Sequence, residues 1–213
     1  GVRRPGNTMI DCSRWAQMWD ELRPPCPSRA VLQELESRYR ETHRSYHNMH
    51  HILECLSAFD LARGLARHPA EVEIAIWYHD AVYDTHRSDN EVLSAHLASE
   101  VLIEAGAHSD VTKRVHGLIV ATQHQAVPLE VDESLMVDVD LAILGADPDR
   151  FREYEIQIRE EYSWVPREVF RVKRLEILRG FLNRPVIYST DAFARLEQQA
   201  RSNLSESLTE LGV

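Results

Sequence analysis

Apolar residues recur along this chain at i, i+3, i+4 and i+7, the spacing of one buried helix face. Trp15, Met18, Trp19 and Leu22 set the first such stripe, and Pro24-Pro25-Cys26-Pro27 stops it. Ser28 can cap a second helix whose stripe is Val31, Leu32, Leu35 and Tyr39. A third helix is predicted from near His47 through Ile52, Leu53, Leu56, Phe59 and Leu65, ending before His68-Pro69. Pro69 suits the first position of a fourth, which carries the apolar run Ile74-Ala75-Ile76-Trp77-Tyr78 and then His79-Asp80.

Ser88-Asp89-Asn90-Glu91 has capping-box spacing and opens a fifth helix that finishes at Gly106. Ser109 caps a sixth, with Val111, Val115, Leu118 and Ile119 on its apolar face. After a loop at Pro128, a helix is expected from Asp132 to about Gly145, followed by helices over Pro148–Trp164, Glu168–Leu182 and Asp191–Leu211. No convincing period-two strand, repeat or low-complexity stretch interrupts this pattern. The expectation is an all-α single-domain bundle of about nine or ten helices spanning residues 11–213, behind a disordered N-terminal end at residues 1–10.

A length of 213 residues allows one sizeable core, and 44% hydrophobic with 27% charged residues is an ordinary globular composition. The formal charge of −10 argues against polymeric nucleic acid as a partner, because phosphate-backbone binding needs a basic surface. A small phosphorylated molecule needs only a local cluster of cations. Cys12, Cys26 and Cys55 are widely spaced and fit no zinc pattern, so a reducing, cytoplasmic location is expected. No apolar run approaches a membrane span, nothing resembles a charged-then-apolar leader, and no membrane partner is expected.

The candidate chemistry lies in residues able to hold a metal. His47 and His51 are four apart and would leave one helix face a turn apart. His79-Asp80 follows an apolar helix, so both should be partly buried. Asp138 and Asp140 stand among Leu135, Met136, Val137, Val139 and Leu141, where a carboxylate is costly unless it is paired or coordinated. On a helix these two acids point nearly opposite ways, so at most one can face an ion. Asp140, with Leu141, Ile143 and Leu144 packing just after it, is the better choice. His116 and His124, eight apart on the sixth helix, are candidates for substrate or a second ion. Glu91 also lies near the doublet, but the capping box accounts for it. Nitrogen and oxygen donors suit a hard or borderline divalent cation.

Taken together, the order His, His-Asp, Asp on a helical chain resembles the HD-domain superfamily of metal-dependent phosphohydrolases. It is most similar to a bacterial subfamily of predicted HD phosphohydrolases. The likeness is carried by Thr42 to Ile52, Ala75 to Asp84, Asp89 to Ala95 and Asp138 to Gly145, and by Ile158 to Tyr162 and Arg179 to Leu182. Tyr46-His47-Asn48-x-x-His51 is also similar to an element of cyclic-nucleotide phosphodiesterases, in which the first histidine gives a proton and the second binds metal.

The resemblance implies His51, His79, Asp80 and Asp140 as ligands of one divalent ion, which may be taken from Mn, Mg, Fe, Ni, Co and Zn, with a second ion possible. It implies His47 as general acid and Asp80 as a residue that also orients or deprotonates the attacking water. The expected activity is hydrolysis of a phosphoester in a small, nucleotide-like molecule. Arg44, His116, His124, Arg159 and Lys173 are the substrate-binding candidates, with Arg174 a further cation. A di-iron HD oxygenase and a non-catalytic metal-containing ligand-binding protein are the alternatives.

Overall fold

The computed structural model describes residues 11–212, all as helices, turns and loops with no strand among them. The expected N-terminal disorder at residues 1–10 lies outside the described residues. Ten α-helices follow in order: α1 (Cys12–Leu22), α2 (Arg29–Tyr39), α3 (Met49–Ala62), α4 (Pro69–Tyr78), α5 (Asn90–Glu104), α6 (Ser109–Ala121), α7 (Val131–Asp140), α8 (Pro148–Glu161), α9 (Arg167–Leu182) and α10 (Glu197–Gly212). Short 3₁₀ turns extend α3 at Arg63–Leu65 and α7 at Leu141–Gly145, and lead into α10 at Asp191–Leu196. No helix among the described residues is long and apolar enough to cross a membrane.

Helix α4 is the axis of the bundle. From Ala70 to Tyr78 every residue is buried, as expected for a helix enclosed on all sides, and it packs on α1, α3, α5, α6 and α7. Trp15 and Trp19 of α1 meet Trp77 and Tyr78 of α4 in this core, Trp15 and Trp77 edge to face with ring centroids 5.8 Å apart. Two acids on α4 would be costly to bury alone. Glu73 is paired with Arg14 at 2.7 Å and with Arg63, while Glu71 takes a two-pronged contact from Arg114 at 2.8 Å. The end of α4 is fixed by the buried Tyr39 hydroxyl, which donates to the Trp77 carbonyl at 2.7 Å.

Helix α7 is tied to the C-terminal part of the chain by Asp138. Its fully buried carboxylate accepts from the Ser189 N–H (2.9 Å), the Thr190 N–H (2.8 Å) and the Thr190 hydroxyl (2.6 Å). Asp138 is thereby satisfied by protein, which leaves Asp140 free for other work. Close by, Gly145 lets the chain approach Leu196: an added Cβ would stand 2.9 Å from the Leu196 carbonyl oxygen.

Asp138→Ala removes the acceptor of two partly buried N–H groups and of the Thr190 hydroxyl, each bond to a charged group worth about 1.5–3 kcal/mol. A urea titration is expected to show a loss of roughly 3 kcal/mol, with Asp138→Asn costing less; an unchanged midpoint in the alanine variant would contradict this role.

Candidate metal centre

Three elements bring their polar ends to one point inside the apolar core. Helix α3 supplies His51, the residues just after α4 supply His79 and Asp80, and the last turn of α7 supplies Asp140. His51 and His79 are buried, with their Nε2 atoms 3.2 Å apart. Asp80 Oδ2 lies 3.2 Å from His51 Nε2 and 3.0 Å from His79 Nε2, and Asp140 Oδ1 lies 3.4 and 3.3 Å from the same two atoms. Donor atoms held about 2.0–2.2 Å from one cation stand roughly 3.0–3.5 Å from each other, so these separations match a shared coordination sphere.

The hydrogen bonding of the donors fits the same purpose. His79 Nδ1 lies 2.8 Å from the Ile76 carbonyl, an acceptor only, so Nδ1 carries a proton and Nε2 is the atom that faces the cluster. Asp80 Oδ2 is buried, and the only polar atoms facing it at close range are the Nε2 atoms of His51 and His79, neither of which makes a well-aligned hydrogen bond to it. Asp140 divides its two oxygens: Oδ1 faces the imidazoles of His51 and His79, and Oδ2 accepts from His124 Nε2 at 2.8 Å. Carboxylate oxygens converging on two buried imidazole nitrogens are expensive unless protons or a cation lie among them.

Cys55 enters here as a residue that sequence reasoning set aside. It sits one turn after His51 on α3, buried, with Sγ 3.7 Å from both ring nitrogens of His51. His51, Cys55, His79 and Asp140 together form a buried group that can hold a metal ion. The H-x-x-x-C spacing from His51 to Cys55 was the available signal; a search for paired cysteines passes over it.

His47 stands beside the cluster, its ring 5.8 Å from that of His51 and stacked on Tyr83 at 4.2 Å. It precedes α3, because the helix begins at Met49 with the Asn48 side chain accepting from the His50 N–H. The expected start at His47 is therefore two residues early. In this position its ring is held by Glu161, whose side chain is completely buried: Nδ1 lies 2.7 Å from Oε2, while Oε1 accepts from the backbone N–H groups of Tyr46 (2.7 Å) and His47 (2.8 Å). The Tyr83 hydroxyl donates to the same carboxylate at 2.6 Å. Burial alone would push the Glu161 carboxyl up, but His47 and Tyr83 outweigh it and hold it at about 2, so it is ionised. Glu161 was not found from the sequence, since Glu160-Glu161 on an amphipathic helix reads as a solvated face.

The remaining sequence candidates separate sharply. Arg44 does not face a substrate site. Its guanidinium is fully buried and donates to the carbonyls of His47 (2.9 Å), Asp80 (2.6 Å) and Ala81 (2.9 Å), clamping the two site segments together. Arg159 donates to the Tyr162 and Val165 carbonyls beyond α8, on the wall of a groove of about 440 Å³ between α8, α9 and α10 that includes none of the cluster residues. Lys173 is exposed and paired with Glu176, and Arg174 is buried against Glu155.

His116 packs against exposed His96, ring centroids 5.6 Å apart, and makes none of the cluster's contacts. His124 is not on the same helix, because α6 ends at Ala121 and His124 has φ 56°; that turn is what aims it at Asp140. Glu91 is likewise more than a capping residue. Asp89 is the N-cap and makes no side-chain capping bond, and half-buried Glu91 has its carboxyl pushed up by burial and by the charges of Asp80 and Asp140.

Burial pushes the imidazoles of His51 and His79 down, but Cys55, Tyr46, Asp140 and Asp80 around His51, and Asp80 and Asp140 around His79, hold both well above the usual histidine range. Burial pushes Asp80 and Asp140 up, and their histidine partners, His79 and His47 about Asp80 and His124, His51 and His79 about Asp140, hold them well below the usual carboxylate range. In the metal-free chain the histidine contribution to stability is complete below about pH 6.5 and is lost as pH rises through the folded-state value. The carboxylate contribution is complete above about pH 4 and lost in acid. A metal ion displaces the imidazole protons. Calorimetry at neutral pH in buffers of different ionisation enthalpy is expected to show release of about two protons per ion bound; binding without proton release would contradict this electrostatic account. Arg44→Ala is expected to lower stability by roughly 3 kcal/mol in urea titrations, by leaving buried carbonyls unpaired.

The chain matches no family model, no curated protein sequence and no solved structure.

Proposed function

We propose that this chain is a metal-dependent phosphohydrolase that cleaves a phosphoester of a small, nucleotide-like molecule. The observation that carries this reading is the meeting of His51, His79, Asp80 and Asp140 at coordination distances, beside a histidine held by a buried carboxylate. A bound divalent ion would supply an activated water near neutral pH and polarise a phosphoryl oxygen.

The protein's own groups divide the rest of the work. His47 donates through Nδ1 to ionised Glu161, so Nε2 is the atom that can give a proton to the departing oxygen. Stacking on Tyr83 fixes the plane of that ring. Asp80 turns a buried oxygen toward the Nε2 atoms of His51 and His79, which suits it to hold a ligand and to orient water. His124 holds Asp140 from behind, as outer-shell partners commonly hold metal ligands. A single ion is favoured over a di-iron centre because His116, one of the two histidines available for a second site, is turned toward His96. The charge of −10 favours a small substrate over polymeric nucleic acid, and three free thiols suit a reducing, cytoplasmic setting.

Metal analysis of the purified protein, followed by phosphatase and phosphodiesterase panels, tests the proposal. Asp80→Ala and Asp140→Ala are expected to lose bound metal while keeping a helical spectrum; full retention in both overturns it. His47→Gln should retain metal but lower kcat by about 10²–10⁴-fold. Glu161→Gln should retain metal and lower kcat less than His47→Gln does.

A further inference from the structure

A phosphohydrolase site needs a cation for the phosphoryl oxygens that the metal does not take, and the arginines and lysine expected for that purpose are otherwise engaged. Arg44 and Arg159 are committed to backbone carbonyls, while Lys173 and Arg174 have acidic partners. Two carboxylates facing one divalent ion leave no net positive charge, and Glu91 adds a further negative group nearby. A phosphate dianion would meet little attraction there without another cation.

Arg184 is the arginine joined to the cluster through His124. It follows α9 in the connection to Ile187, and its Nη2 donates to the carbonyl of His124 at 3.0 Å. His124 in turn contacts Asp140 at 2.8 Å, so Arg184 is one residue removed from the metal centre. The guanidinium lies over the Phe181 ring, 4.8 Å from its centroid, and that ring stands nearly edge-on to His124 at 6.1 Å. The loop is pinned from the other side, because Arg201 donates to the carbonyls of Leu182 (3.0 Å) and Arg184 (2.8 Å).

Partnership distinguishes Arg184 from the arginines around the core. Arg14, Arg114, Arg150 and Arg174 each contact a carboxylate through a bidentate or networked pairing. Arg184 is partly buried, yet among the described residues no acid lies within 4 Å of it, and burial alone pulls its pKa down. A half-exposed guanidinium with N–H groups not taken by any acid can pair with an incoming oxyanion.

We infer that Arg184 is the anion-recognition residue of this site, taking the phosphoryl oxygens of a small phosphate ester that point away from the metal. The inference rests on the phosphohydrolase reading and adds the group that selects the charge of the substrate. His124 then has two roles, holding Asp140 through its ring and Arg184 through its carbonyl, so the metal and anion subsites share one support. Phe181 forms the apolar backing of the guanidinium and limits its directions.

Titration of inorganic phosphate into the Mn²⁺-loaded chain tests this. Arg184→Gln is expected to bind Mn²⁺ as the wild type does but to weaken phosphate by about 10-fold or more, with Arg184→Lys intermediate. Equal phosphate affinity in wild type and Arg184→Gln overturns the inference while leaving the metal centre intact. Absence of phosphate binding to the Mn²⁺-loaded wild type overturns it as well. Failure of the wild type to take up any divalent ion would instead remove the metal-centre reading on which it stands.

Discussion

Two imidazole nitrogens and two carboxylate oxygens are held face to face within an apolar interior, and the surrounding structure serves that constraint. The nitrogens of His51 and His79 cannot lie 3.2 Å apart with both lone pairs exposed to each other at no cost. Protons resolve the conflict in the metal-free chain, and a cation resolves it better, because it satisfies both nitrogens and both acids at once. The strong opposing displacements of the histidine and aspartate titrations are two views of this one arrangement.

Such a cluster persists only if its supports are stiff. Helix α4 is enclosed on every side, and its C-terminal end is fixed by Tyr39 just before the His79-Asp80 pair. Arg44 then joins the segment carrying His47 to the segment carrying Asp80 through their carbonyls. Asp138 secures α7 against the Ser189-Thr190 backbone, so that Asp140, two residues later, is presented from a fixed helix end. Buried Glu161 does the same for His47 across more than a hundred residues of sequence. Apart from Tyr39, each support is a charged side chain spent largely on backbone groups. That explains why residues that look like surface or substrate-binding charges in the sequence are found inside.

The helices themselves were legible because apolar spacing reports burial directly. Trp15, Met18, Trp19 and Leu22 are all buried as their period requires, and Pro69 begins α4 as its missing N–H favours. That only one of Asp138 and Asp140 could face the cluster was legible because residues two apart on a helix diverge, and the apolar residues that follow Asp140 pointed to it. Less legible was anything that depends on where a helix stops. Periodicity continues past Ala121 toward His124, yet the chain leaves α6 there and turns with positive φ, which separates His124 from His116. The same holds at His47, which lies outside α3 and is free to meet Glu161. Glu161 and Arg184 carried no local signal, because their significance comes from long-range partners, or from the lack of an acidic one, and a linear pattern does not encode these; Cys55 carried only its one-turn spacing from His51.

X-ray absorption at the metal edge of the loaded chain tests the central claim most directly. The account predicts one tightly held divalent ion per chain, with nitrogen and oxygen neighbours about 2.0–2.2 Å away. Behind that shell it predicts the outer scattering of two imidazole rings. A spectrum without histidine scattering, or an ion held only by water, would contradict it.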